Sequence, residues 1–356
     1  MPKDYVKGRG AQHNSYNKFL LHHSEIRDDF LEYCKNEGET ADKNKTQYLP
    51  VYPKTIINKI TSPDVGMSYS MNPYQGCEHG CIYCYARNTH EFWGYSAGLD
   101  FERKILFKKN AAHLLEQKIK SKTWKAETIV MSGNTDCYQP SEKQLRITRA
   151  CLKVFLKYKH PVGIITKNAL ILRDLDLLKQ LNKDSLIGVN ISLTSLSEKT
   201  RRLLEPRTAT IHKRLNTIKV LSENKIPVNA MLAPIIPGIN SHELLKLAKT
   251  AADCGALSFA FMVVRLNGAI GELFKEWIQK TMPNKASKVL NQVASCHGGT
   301  LHDSRFGIRN KGEGSLAKQI HETARIAKQA YFKDRKFPKL NTTLHESAKG
   351  GQMKLF

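Results

Sequence analysis

Between residues 127 and 264, short apolar runs rich in β-formers alternate with longer stretches of helical period, and this alternation leaves the chain few architectures. The runs are 127–131, 162–166, 186–193, 227–232 and 257–264. Between or after them, apolar residues recur every three to four positions over 141–158, 169–182, 211–223, 241–253 and 270–279. A strand that is followed by a covering helix and then by another strand returns in the same direction, so the strands pair in parallel and the helices pack outside. The predicted class is α/β, an open doubly wound sheet or a partial barrel. In either, ligands sit at the carboxyl ends of the strands.

The alternation predicts a compact domain over 56–282. Residues 1–55 read as a polar N-terminal extension with one amphipathic stretch near 19–34, and the prolines at 50, 53, 63 and 73 suit an extended segment leading into the domain. Helical patterns at 286–295 and 315–332, separated by the glycine-rich HGGTLHDSRFGIRNKGEG, predict a C-terminal helical region over 283–336. Residues 337–356 read as a mobile tail. No apolar run is long enough to span a membrane and the start lacks a secretory pattern, so a cytoplasmic protein is expected. There the eight cysteines stay reduced. Cys34, Cys137, Cys151, Cys254 and Cys296 are scattered, as small buried apolar residues usually are.

Three cysteines are not scattered. Cys77-Glu-His-Gly-Cys81-Ile-Tyr-Cys84 spaces its thiols by three and then two residues. Three thiolates on a four-iron cube leave one iron open to chelate a small molecule, whereas four would close it. The competing reading is zinc completed by His79 or His90. His79 lies inside the loop and no second paired-ligand motif follows.

The pattern CxxxCxxC, with an aromatic before its last cysteine and a strand–helix alternation after it, resembles the radical S-adenosylmethionine superfamily. The strings SMNPYQGCEHGCIYCYAR, GNTDCYQPSE and LEPRTAT resemble its spore photoproduct lyase branch, as does, more weakly, the N-terminal GRGAQ. The resemblance implies a partial (βα)6 TIM-like barrel, here with an N-terminal extension and C-terminal helices. It also implies a [4Fe–4S] cluster on Cys77, Cys81 and Cys84, an electron donor protein, and reductive cleavage of S-adenosylmethionine to a 5′-deoxyadenosyl radical. The protein's own part would be binding, orientation and exclusion of side reactions.

The resemblance directs attention to the strand ends. Ser132, Asn134, Thr135 and Asp136 form a small polar loop where the superfamily binds the methionine amino group, with Thr135 at a cofactor-contacting position; Asp136 can equally shape the loop as an Asx turn. Lys167 matches a lysine that meets the cofactor carboxylate, and Ser192 and Thr194 stand where a hydroxyl reaches the same group, with Ser195 or Ser197 as the helix-capping alternative. Arg207 can lie over the cofactor or a phosphate, or pin a loop. Tyr83 and Tyr85 flank the third cysteine and either relay a hydrogen atom or pack. One departure bears on the reaction. The lyase branch places a hydrogen-donating cysteine where this chain has Gly133, with Cys137 as the nearest substitute.

Two features concern partners. Lysine and arginine number 56 against 32 acids, a formal charge of +24 that suits DNA or another polyanion. The terminal Gln352-Met-Lys-Leu355-Phe356 resembles the short peptide by which bacterial repair proteins dock on the sliding clamp, with a Gln for the rim and Leu-Phe for an apolar pocket. The expected activity is lyase-like repair of a DNA lesion. RNA or protein modification, or a non-catalytic iron–sulfur nucleic-acid-binding protein, are the other readings.

Overall fold

The computed structural model describes residues 5–19 and 45–349. Six strands run parallel in one sheet: β3 (Tyr69–Met71), β6 (Ile129–Met131), β7 (Val162–Thr166), β8 (Ile187–Ser192), β9 (Val228–Ile235) and β10 (Ser258–Val263). They stand side by side in sequence order, and β2 (Ile57–Lys59) adds an antiparallel edge beyond β3. With helices between successive strands, this is the partial TIM-like barrel. Val162, Ile164, Ile187, Val189, Val228 and Ala230 are fully buried, so the central strands read as nearly continuous apolar runs.

Five of the six parallel strands lie where the apolar runs predict. The first, β3, does not: it is three residues long and sits in the proline-flanked stretch read as an extended segment leading into the domain. A second small sheet also escaped pattern reading, in which β5 (Lys104–Lys108) pairs with β1 (Gln47–Val51) and β4 (Tyr74–Gln75). The segment 141–158 forms two helices, Glu142–Leu145 and Ile147–Lys157, because Arg146 adopts a left-handed conformation at φ 52°. Residues 169–182 begin as a 3-10 turn, Ala169–Asp174, before the helix Leu175–Lys183.

The C-terminal helices Pro283–Ser295 and Gly314–Tyr331 pack on the barrel, and the Phe332 ring stands 5.3 Å from Phe259 of β10. Two residues of the segment from 337, read as a mobile tail, are bonded to the barrel. Asn341 N–H donates to Ser185 O at 2.9 Å. The His345 ring is fully buried, 2.7 Å from Tyr158 O and 3.0 Å from Ile119 O. Single anchors in polar sequence leave no periodicity to read. The clamp-like residues Gln352, Leu355 and Phe356, the stretch 20–34 and Cys34 lie outside the described residues. Among the described residues no helix is long and apolar enough to cross a membrane.

Candidate active site at the strand ends

The cysteine loop is fixed by its backbone before any ligand is considered. Cys77 N–H donates to Phe101 O at 2.8 Å and Ile82 N–H to Leu204 O at 3.1 Å. Gly76 turns at φ 78°, where an added Cβ would lie 2.7 Å from Lys104 O, so only glycine lets the loop close against the small sheet. Beneath it Arg87 and Glu102 form a fully buried ion pair at 2.6 Å, and Arg87 also donates to Cys81 O at 3.0 Å. Glu102 accepts the N–H groups of Gly10 and Ala11 at 3.1 and 2.8 Å. The GRGAQ segment is thereby seated on the cysteine loop.

Cys77 and Cys81 are buried and Cys84 is partly exposed. Burial pushes the Cys81 thiol up to about 12, with Glu205 adding to the shift and Lys167 opposing it. Burial, then Asp136, also raises the Cys77 thiol well above its ordinary value. Thiols this reluctant to ionise on their own suit a cationic cluster, which supplies the missing positive charge. The set fits an open three-thiolate cluster better than zinc. His79 is engaged by Asp136 at 3.3 Å and Asn168 at 3.3 Å, and the buried His90 ring packs edge-on against Phe101. Among the described residues no three His, Cys, Asp or Glu side chains converge as for a single ion.

Asp136 organises the loop after β6. Its carboxylate accepts from Tyr138 N–H, Thr166 Oγ1 and Lys167 N–H, each at 2.8 Å, besides meeting His79. Burial alone would raise its pKa, but His79 and these donors hold it at about 2. The bond from Tyr138 N–H, two residues on, is an Asx turn. Asn72, which sequence reading did not single out, accepts from Asn134 N–H at 2.7 Å. Thr135 donates its hydroxyl proton to Tyr74 O at 2.7 Å, which leaves the oxygen lone pairs as acceptors. Ser132 sits at φ 74° with its hydroxyl accepting from Cys137 N–H at 2.8 Å, and the Asn134 amide reaches Thr89 at 3.4 Å.

Lys167 directly follows β7, half-buried beside the cysteines. Burial works against its charge, but Cys81 and Glu205 outweigh it and hold its pKa above the ordinary value. Glu205, also missed in the sequence, is fully buried and accepts from Tyr83, Thr194 and Arg214. Burial opposes ionisation, yet Arg214 and Lys167 bring its pKa down to about 2. Thr194 is thus a partner of Glu205. Ser192 is buried at the end of β8, where its carbonyl accepts from Arg214 at 3.2 Å. Ser197 caps the helix Glu198–Leu204, while Ser195 holds Glu243 at 3.1 Å. The only sequence sign of this network was the acidic residue in LEPRTAT.

The remaining candidates separate. Tyr85 is half exposed and its hydroxyl donates to Gly133 O. A Cβ at Gly133 would lie 2.8 Å from Ser70 Cβ, so the loop leaves no room for a side chain at the position of the lyase cysteine. Cys137, the nearest substitute, is fully buried in the main core, and burial, then Asp136, raises its pKa well above normal. Arg207 has its backbone N–H on His79 O at 3.3 Å and its guanidinium 3.5 Å from Glu78.

The Radical SAM superfamily model matches residues 71–251. An uncharacterised protein of Methanocaldococcus jannaschii is 31% identical over 252 residues, which is 70% of this chain and 90% of the relative. One from Mycobacterium tuberculosis is 28% identical over 238 residues, 66% of this chain and 70% of its own. Among solved structures, a spore photoproduct lyase mutant with bound S-adenosylmethionine and dinucleoside spore photoproduct aligns with a TM-score of 0.57. It is 14% identical, with 86% of this chain and 92% of that one covered. Another lyase complex gives 0.55 at 16% identity over 80% and 79%. Likeness at this identity shows the fold.

Proposed function

The chain belongs to the radical SAM superfamily and is an enzyme of that class; on this premise we propose that it is a spore photoproduct lyase-like enzyme that repairs a nucleic-acid base lesion by radical chemistry. The observation that carries the proposal is the pairing of a three-thiol loop with a cation, Lys167, and a buried hydroxyl, Ser192, at adjoining strand ends. A structural cluster would need no such pocket. When bound, a [4Fe–4S] cluster with S-adenosylmethionine supplies a carbon radical that abstracts hydrogen.

The chain's own residues do the rest. Cys77, Cys81 and Cys84 would hold the cluster. Lys167 and Ser192 would take the cofactor carboxylate, and Ser132 with Asn134 would frame the amino group. Tyr85, half exposed beside Gly133, is the better placed tyrosine to hand a hydrogen atom toward substrate, whereas Tyr83 is bound into the Glu205 network. DNA as substrate is supported by the +24 charge and by the lyase-like fold. The lack of room for a side chain at Gly133 supports a second reading, in which the radical acts on RNA or a protein side chain and is quenched by another route.

The test is anaerobic. The reconstituted, reduced protein is given S-adenosylmethionine with no DNA, intact DNA or ultraviolet-irradiated DNA, and 5′-deoxyadenosine is measured with Cys81→Ala as control. Product that rises with irradiated DNA and disappears in the variant supports repair. Equal product in all three discards DNA damage as the trigger.

A further inference from the structure

We propose that Arg265 takes a backbone phosphate of the nucleic-acid substrate beside Tyr85, at a place apart from the residues that would hold the cofactor. This rests on the nucleic-acid reading given above. Arg265 stands two residues beyond β10, at the carboxyl end where ligands of such a sheet sit. Its backbone is fixed from both sides. Val264 N–H donates to Ile235 O at 2.9 Å and Leu266 N–H to Leu301 O at 3.0 Å, and both side chains are buried. The buried His297 ring lies 2.7 Å from Val264 O. Asn267 donates to Asp303 O at 3.0 Å, and its own carbonyl accepts from the Asn88 amide at 2.8 Å. Asn88 belongs to the 3-10 helix Tyr85–Trp93, so the segment that carries Arg265 is tied to the helix that begins at Tyr85.

The guanidinium itself is little used. It is partly buried, and among the described residues it makes one hydrogen bond, from Nη1 to Asp303 O at 3.4 Å, and no ion pair. The carboxylates near it are already engaged. Asp64 accepts from Arg309 and from Gly307 N–H, the latter at 2.6 Å, and Asp303 accepts from the Arg305 side chain and N–H, each at 2.9 Å. Burial, then Arg309, lowers the pKa of Arg265, and Asp64, Tyr85 and Asp303 offset this only in part. A cation that is half desolvated and has donors to spare gains most from an incoming anion, and the planar fork of arginine suits two phosphate oxygens at once. Its neighbour sets which phosphate. Burial, then Cys84, raises the pKa of Tyr85, and Arg265 is near enough to oppose them. The anion on Arg265 therefore lies next to the tyrosine placed to pass a hydrogen atom, as the phosphate adjoining a reacting nucleotide would. The +24 charge of the chain favours such a polyanion over an isolated carboxylate.

The experiment uses the full, cluster-loaded chain and the variants Arg265→Gln and Arg265→Lys, with Lys183→Gln, an exposed position on the helix Leu175–Lys183, as the control for a lost charge. A short oligothymidylate is titrated across a salt series, beside a set of the same oligomers that each carry one neutral methylphosphonate in place of a phosphate. Arg265→Gln should weaken binding about tenfold or more and flatten the logarithmic salt slope by about 0.7. Arg265→Lys, which keeps the charge and loses the fork, should recover part of the affinity. At one position the methylphosphonate should cost the parent protein as much as the variant has lost, and cost Arg265→Gln nothing further. S-adenosylmethionine affinity and thermal unfolding should not change. Binding by Arg265→Gln that matches Lys183→Gln overturns the proposal, as does a loss spread evenly over all methylphosphonate positions. Weaker S-adenosylmethionine binding with the oligomer still held would make Arg265 a cofactor residue, and loss of affinity for a polyglutamate peptide alone would assign it to a protein substrate; either overturns the proposal. A parent protein that binds no oligomer even at low salt sinks the nucleic-acid reading itself, whereas a parent that binds and an Arg265→Gln that binds equally well sink only the assignment of Arg265.

Discussion

The main-chain N–H of Lys167 donates to the carboxylate of Asp136 at 2.8 Å, joining the end of β7 to the loop after β6. Through His79 the same carboxylate also touches the cysteine loop. A buried charge with this many donors is costly to disturb, because removing it leaves several groups unpaired at once. The height and direction of the Lys167 backbone beside the thiols are thus set by a residue that need not touch a cofactor.

Asp136→Asn tests this clamp. The pKa of Asp136 falls from an ordinary 3.8 to about 2 on folding, so its contribution to stability is fully present above pH 3.8 and is lost as pH falls through 2. Urea unfolding of the cluster-free protein should show the variant about 2 kcal/mol less stable at pH 7. The deficit should shrink to about half at pH 3. A deficit independent of pH would point to packing rather than charge.

Lys167→Met removes the ammonium beside Cys81 while keeping most of the side-chain volume. A charge-assisted hydrogen bond to a carboxylate contributes roughly 1.5–3 kcal/mol, so S-adenosylmethionine binding should weaken by about tenfold or more. Iron content after reconstitution should match the parent protein. Equilibrium dialysis and iron analysis on the same sample separate the two effects, and parallel loss of iron would make Lys167 a support for the cluster instead.

The two tyrosines should part company. Tyr83→Phe deprives the buried Glu205 of a donor, which costs about 1–3 kcal/mol in thermal or urea unfolding. Tyr85→Phe, half exposed, should change stability by less than about 0.5 kcal/mol yet slow product formation under the hydrogen-relay reading. Equal turnover in parent and Tyr85→Phe would remove that residue from the relay.

The legible parts of this molecule are those with periodicity. Strand β7 and the helix Ile211–Glu223 coincide with their predicted limits because a buried strand and an amphipathic helix both repeat a hydrophobic signal over many residues. Strand β3 lacked that signal: three residues next to Pro73 carry too little pattern to distinguish barrel wall from connecting chain. The site divides in the same way. Cysteine spacing is local and could be read directly, whereas the partners of Glu205 come from residues 83, 194 and 214, which only the fold brings together. Likewise, nothing in the sequence reveals that Tyr74 O takes the hydroxyl proton of Thr135.

Gly10→Ala probes the seating of the N-terminal segment. At this position a methyl group would stand 1.8 Å from the carbonyl oxygen of Gly80, which is backbone and has no rotamer to yield. The segment must lift, and Glu102 then loses the two N–H donors of Gly10 and Ala11 while still facing Arg87. The cost cannot exceed the free energy of undocking the segment, so global stability should fall by only about 2 kcal/mol. Arg9, now 7% exposed, would become an open tryptic site. Cleavage there should accelerate about tenfold or more over the parent protein, and iron should be lost faster from the reconstituted form. Gly66→Ala, whose Cβ would meet nothing within 4 Å, is the matched control and should leave both rates unchanged. If Gly10→Ala is cleaved no faster than Gly66→Ala, the contact between Gly10 and Gly80 is not what holds the segment against the cysteine loop.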